Sequence, residues 1–130
     1  MKRRSWPVYN NALNAYKSVE QATVSGRETE ARVLTEGAIK LRLCQKKWAD
    51  NGRPEMLDEA LKYNQRIWTI FQTELGREDN HLPDQIKLDL LRLSSFIDKR
   101  IFEVMASPES EKLNIIIKIN ENIAAGLRGQ

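Results

Sequence analysis

Four punctuation marks, set 20 to 30 residues apart, constrain this chain more than any other feature. Ser25-Gly26-Arg27-Glu28 has the Ser-x-x-Glu form of a capping box, in which the serine accepts from a helix-start amide and the glutamate reaches back. Asn51-Gly52-Arg53-Pro54 stops one helix and starts another, with Pro54 suited to a first turn. Leu75-Gly76 ends a segment and Leu82-Pro83-Asp84 opens the next, while Ser107-Pro108-Glu109 opens the last. Between these marks apolar residues recur at helical spacing, which predicts five helices over about 8–23, 26–49, 54–75, 83–106 and 108–127. The short connections favour antiparallel neighbours. The expected fold class is all-α: a single compact bundle of about five antiparallel helices.

Two segments test that reading. Leu113-Asn114-Ile115-Ile116-Ile117-Lys118-Ile119 has the β-branched content of a strand. Ile116, Asn120, Ile123 and Leu127 nevertheless keep a helical period, and a lone strand would have no partner, so the segment is assigned to the last helix. The helix over 83–106 is apolar on two sides. Ile86, Leu90, Leu93, Ile97, Ile101 and Val104 form one stripe, and Leu88, Leu91, Phe102 and Met105 form another. Such a pattern predicts a central helix with neighbours on both flanks.

At 130 residues the chain fits one domain able to bury a core without staples. Its single cysteine, Cys44, cannot close a disulfide within the chain. The formal charge of +3 suggests a nucleic-acid partner until the charge is located. Lys2, Arg3 and Arg4 account for three of the 21 basic residues, so residues 5–130 carry 18 basic against 18 acidic groups. A nucleic-acid binder is expected to carry a basic face on its folded body. Residues 1–8 are read as a short basic extension, disordered or the product of a misassigned start, ahead of a single helical domain over 9–130. No apolar run reaches the length of a membrane span, and cytoplasmic localisation is expected.

Catalytic chemistry finds little to work with. One histidine, His81, and one cysteine fall short of the ligand set of a structural zinc site. Gly26, Gly37 and Gly52 are isolated and form no phosphate loop. No enzyme, no cofactor and no metal site is expected.

The most informative stretch is Asn64-Gln65-Arg66-Ile67-Trp68-Thr69-Ile70-Phe71, where aromatics stand beside an arginine. On a helical wheel Met56, Leu57, Ala60, Leu61, Tyr63, Ile67, Trp68, Ile70, Phe71 and Leu75 share one half and Arg66 faces away, so a base-stacking site is not formed. Asn64 sits within the apolar half, and Asn120 sits likewise among Leu113, Ile116, Ile117, Ile123, Ala124 and Leu127. Burying an unpaired amide costs about 1–3 kcal/mol. Two readings follow: the asparagines are buried and bonded to backbone or to each other, or they line a groove open to a partner chain. Tyr9, Ala12, Leu13, Tyr16 and Val19 make an amphipathic first stripe that either packs on the bundle or forms a detachable, partner-binding helix. The candidate partner-binding residues are Tyr9, Tyr16, Asn64, Trp68, Phe71 and Asn120.

Taken together, "YNNALNAYKSVEQATVSGRETEARVL" (9–34), "LDEALKYNQRIWTIFQTEL" (57–75), "LPDQIKLDLLRLSSFIDKRIFEVM" (82–105) and "INENIAAGL" (119–127) resemble the FlaF family of flagellar biosynthesis regulators. The resemblance runs from about Tyr9 to the end, though family members commonly begin close to Tyr9-Asn10-Asn11. It implies a cytoplasmic, non-enzymatic protein that supports flagellin synthesis and export, with flagellin as the first expected partner. The alternative it implies is a post-transcriptional regulator acting with FlbT. Direct contact with flagellin mRNA, through Lys2, Arg3, Arg4, Arg42, Lys46 and Lys47, ranks last.

Overall fold

The computed structural model describes the backbone of residues 10–129 and the side chains of residues 27–129. Residues 1–8, with the basic extension expected there, lie outside the described residues. The described chain forms α1 (Asn10–Lys46), α2 (Arg53–Leu75), α3 (Asp84–Ala106), a 3-10 turn (Ser110–Leu113) and α4 (Asn114–Leu127). The all-α expectation holds, with four α-helices in place of about five.

The difference lies at Ser25-Gly26, where α1 continues through the expected capping box. Ending a helix leaves up to four amides and four carbonyls without helical partners, whereas a glycine inside one costs only about 1 kcal/mol relative to alanine. With helical residues on both sides, continuation is the cheaper outcome. The marks at Asn51-Gly52, Leu75-Gly76 and Pro83 act as read, whereas Ser107-Pro108-Glu109 leads first into a 3-10 turn and the last α-helix begins at Asn114 instead of about 108. The Asn51-Gly52 turn leads into α2 with Pro54 in its first turn, and Arg53 stacks its guanidinium 4.5 Å from the Trp48 ring centroid. The 113–119 segment is helical, not strand. Its approach is a 3-10 turn pinned by Lys112, which donates to the Ser107 carbonyl at 2.7 Å and pairs with Glu109 at 2.9 Å.

The central helix is α1, which packs against both α2 and α4. Its buried line, Ala31, Leu34, Gly37, Ala38, Leu41 and Cys44, is dominated by small residues, which lets two neighbours approach closely. Contacts pair low α1 numbers with high α4 numbers, Thr35 with Arg128 and Arg42 with Glu121, so α1 and α4 are antiparallel. The helix expected to be central, α3, instead packs on α2 and touches the 3-10 turn. Of the first expected stripe Ile97, Ile101 and Val104 are buried, Leu90 and Leu93 half-buried and Ile86 exposed; the second, Leu88, Leu91, Phe102 and Met105, faces outward. A two-sided apolar pattern requires two covered faces only when the chain itself supplies both covers, and here it supplies one.

Three helices meet on a closed polar cluster inside this apolar core. Asn64 of α2 donates through Nδ2 to the Ala60 carbonyl at 2.9 Å and to the Gly37 carbonyl of α1 at 3.2 Å. Asn120 of α4 donates to Asn64 Oδ1 at 2.7 Å and to the Leu34 carbonyl of α1 at 3.3 Å. Its Oδ1 accepts from Trp68 Nε1 at 2.9 Å. Asn64 and Asn120 expose nothing and Trp68 almost nothing, yet every N–H of the three side chains has an acceptor. Room for the cluster comes from Gly37: a Cβ there would stand 2.5 Å from Asn64 Oδ1 and 2.9 Å from Asn120 Nδ2.

Gly37→Ala is therefore expected to destabilise, although alanine is the better helix former by about 1 kcal/mol. Overpacking of this kind costs typically about 1–3 kcal/mol, with broken hydrogen bonds in addition. A lower denaturant midpoint for the variant is the expected outcome, and a higher one would mean that the cluster yields without strain. Asn120→Ala strips a partner from Trp68 Nε1, Asn64 Oδ1 and the Leu34 carbonyl, and should lose about 3 kcal/mol or more. Asn122→Ala, two positions along on the exposed face, should stay within about 0.5 kcal/mol in the same measurement.

Candidate functional site

The sequence-derived candidates divide by depth. Asn64, Trp68 and Asn120 are brought together, but in the cluster at the centre of the core, where they bond each other and α1. Phe71 lies one turn beyond Trp68, ring centroids 5.7 Å apart and tilted by 55°, and is only half-buried. Tyr9 lies outside the described residues, and Tyr16 falls in the part of α1 whose side chains are not described. On the polar half of α2, Arg66 is exposed as expected, and so is Ile70, which the wheel had placed with the apolar set.

Phe71 opens into a cavity of about 550 Å³ at the end of the bundle where α2 finishes. Its apolar lining comes from three helices: Trp68, Phe71 and Leu75 of α2, Leu90 of α3, and Ile123 and Leu127 of α4. Leu75 is buried, while Phe71, Leu90, Ile123 and Leu127 are half-buried. A floor of that kind, with a charged rim, is the usual form of a site for an amphipathic segment. Arg27 and Glu30 of α1, Glu74, and Arg77, Asp79, His81 and Leu82 of the α2–α3 connection supply the rim.

The connection is held in shape by its own side chains. Asn80 donates to the Glu74 carbonyl at 3.1 Å and accepts from the Leu82 amide at 3.1 Å, an Asx-type turn. Arg77 grips Asp79 in a two-pronged pair, both contacts at 3.0 Å, and hydrogen bonding from the guanidinium holds the Asp79 carboxyl below its ordinary range. Glu30 is displaced the other way. Burial raises its carboxyl pKa first and the neighbouring Glu74 charge raises it further, with Arg27 only partly opposing them. A like-charged pair, Glu30 and Glu74, thus stands over an apolar floor.

Cys44 is enclosed in the core and burial pushes its thiol pKa up, whereas His81 is exposed on the rim. No group of three or more His, Cys, Asp or Glu side chains among the described residues could hold a metal ion. No helix among them is long and apolar enough to cross a membrane.

Two functionally placed features escape the sequence reading. Gly37 is visible as a lone glycine between Leu34 and Leu41, and its position on the apolar face of a helix is a signal of close packing. The cavity has no comparable signal, because Arg27, Phe71, Leu90 and Leu127 come together only in the tertiary fold.

No curated protein and no solved structure matches the chain. A family model does, that of the flagellar protein FlaF, over residues 12–127. The match takes in all four helices but for the first residues of α1, including the asparagine–tryptophan cluster and the whole lining of the cavity. The chain belongs to the FlaF family.

Proposed function

We propose that this protein is a non-enzymatic flagellar regulator that binds flagellin in the cytoplasm and supports its synthesis and export, holding a flagellin helix in the cavity at the end of α2. The observation that carries this reading is the cavity itself. An apolar floor of Phe71, Leu75, Ile123 and Leu127 under a charged rim is what an amphipathic helix needs. Family membership supplies the flagellar context. The role linked to FlbT uses the same protein differently, with flagellin reached through a second regulator. Direct mRNA binding has less support. Arg42, one of the basic residues nominated for phosphate contact, is engaged two-pronged by Glu121 at 2.8 to 3.2 Å.

Pull-down of purified flagellin, with and without FlbT, separates the readings. Leu82→Asp and Leu127→Asp should each weaken flagellin capture about tenfold or more, corresponding to the loss of about 1.4 kcal/mol. Arg66→Ala, on the opposite face of α2, should leave capture unchanged. Normal capture by both folded aspartate variants would remove the cavity from consideration. Capture that needs FlbT would transfer the role to that partner.

A pH dependence follows from Glu30. Its carboxyl already has a raised pKa, from burial and then from Glu74, and covering the cavity with an apolar helix removes more water from it. A carboxyl whose pKa rises on binding takes up a proton in the complex, so binding is strongest at the acid end and weakens as pH rises through that group's range. Titrating affinity from neutral toward mildly acid pH should show tightening in the parent, and Glu30→Gln should flatten the profile. A parent profile that is already flat would contradict it.

A further inference from the structure

The outward stripe of α3 is left over by everything above. None of Leu88, Leu91, Phe102 and Met105 lines the cavity, and they retain 43, 39, 67 and 40% of their surface. Among the described residues nothing covers them. Their spacing is a heptad seam: Leu88, Leu91, Ser95, Asp98, Phe102 and Met105 alternate steps of three and four residues along one side of the helix. The seam is also its own complement when read backwards. Laid antiparallel on a second copy, Leu88 meets Met105, Leu91 meets Phe102 and Ser95 meets Asp98, with the symmetry axis between Ser95 and Asp98. That is the condition for an isologous two-fold contact.

The centre of the seam is polar, with Ser95 and Asp98 between the two apolar ends. Asp98 Oδ2 accepts from Gln72 Nε2 at 3.1 Å, but its Oδ1 is enclosed with no hydrogen-bond partner.

We propose that the outer face of α3 is a self-association surface, on which a second copy of the chain docks antiparallel about a two-fold axis. Four half-exposed apolar side chains present on the order of 400 Å² per protomer, about half of what a standard stable interface buries. The dimer is accordingly reversible and concentration-dependent. Arg92 and Lys99 flank the seam on one side and approach each other across the axis. Their repulsion is screened by salt, so association strengthens as ionic strength rises.

Sedimentation of the full chain tests this, from low micromolar to near-millimolar concentration. The expected result is a reversible rise from the 15.1 kDa of one chain toward twice that mass, larger at high salt. Phe102→Glu should remain monomeric with unchanged helix content, since Phe102 is largely exposed in the monomer. Register is tested by oxidative cross-linking in a Cys44→Ser background. Leu91→Cys combined with Phe102→Cys should form a covalent dimer, whereas either cysteine alone should not. A monomer throughout the concentration range would overturn the proposal, as would equal association by Phe102→Glu or efficient cross-linking through Leu91→Cys alone. Loss of flagellin capture by Phe102→Glu in a chain that never dimerises would overturn it too and give the face to flagellin.

Discussion

Two carboxamides and an indole set the register of three helices. Asn64, Asn120 and Trp68 sit where a purely apolar core would tolerate sliding, and they do not tolerate it. Shifting α4 by one turn along α1 would part Asn120 from the Leu34 carbonyl, from Asn64 and from Trp68 together. Each hydrogen bond has a modest net value of about 1 kcal/mol, but each buried group left without a partner costs about 1–3 kcal/mol. The cluster therefore acts less by adding stability than by making other alignments expensive. Gly37 is the counterpart of this arrangement. Its missing side chain lets the α1 backbone serve as one wall of the cluster and accept through its own carbonyl.

Fixing α1, α2 and α4 in this way determines where the surface features fall. Trp68, tied to Asn120 by its ring nitrogen and almost fully buried, also contributes to the cavity lining. Phe71, Leu75, Ile123 and Leu127 then follow on the next turns of helices whose register is already decided. The cavity is thus continuous with the core, and its shape is coupled to the polar cluster one turn away. By contrast α3 is attached through α2, by Gln72 bonding to Ser94 and Asp98 and by the buried line Ile97, Ile101 and Val104. That leaves its far side uncommitted.

Much of this was legible in residue order, and the limits have physical causes. Helix boundaries at Asn51-Gly52, Leu75-Gly76 and Pro83 could be read because turn chemistry acts locally. Ser25-Gly26 misled because a capping box describes what a chain can do at a helix start, not whether a start is required. The two asparagines stood out as polar residues on apolar faces. Their mutual bond did not, since 56 residues separate them and only the tertiary fold brings them together. Of the four described candidate residues, Asn64 and Asn120 went wholly to the core, Trp68 joins the core to the cavity lining, and half-buried Phe71 lies in that lining. Helical period tells which residues share a face, while depth along that face depends on where neighbouring helices end.

The same distinction explains why α3 looked central. Its second stripe has the composition of a buried face, and periodicity cannot say whether the cover comes from the same chain. In this fold α1 took the central place because a line of Ala31, Gly37, Ala38 and Cys44 permits close approach by two neighbours, which the bulkier α3 does not. What remains on α3 is an apolar seam lying about a quarter-turn from Leu90, its contribution to the cavity. Because the two surfaces share no residue, occupancy of one leaves the other open. On the two proposals above, one small core fixes the geometry both of the site for a helix at the end of the bundle and of the face for a second copy along its side.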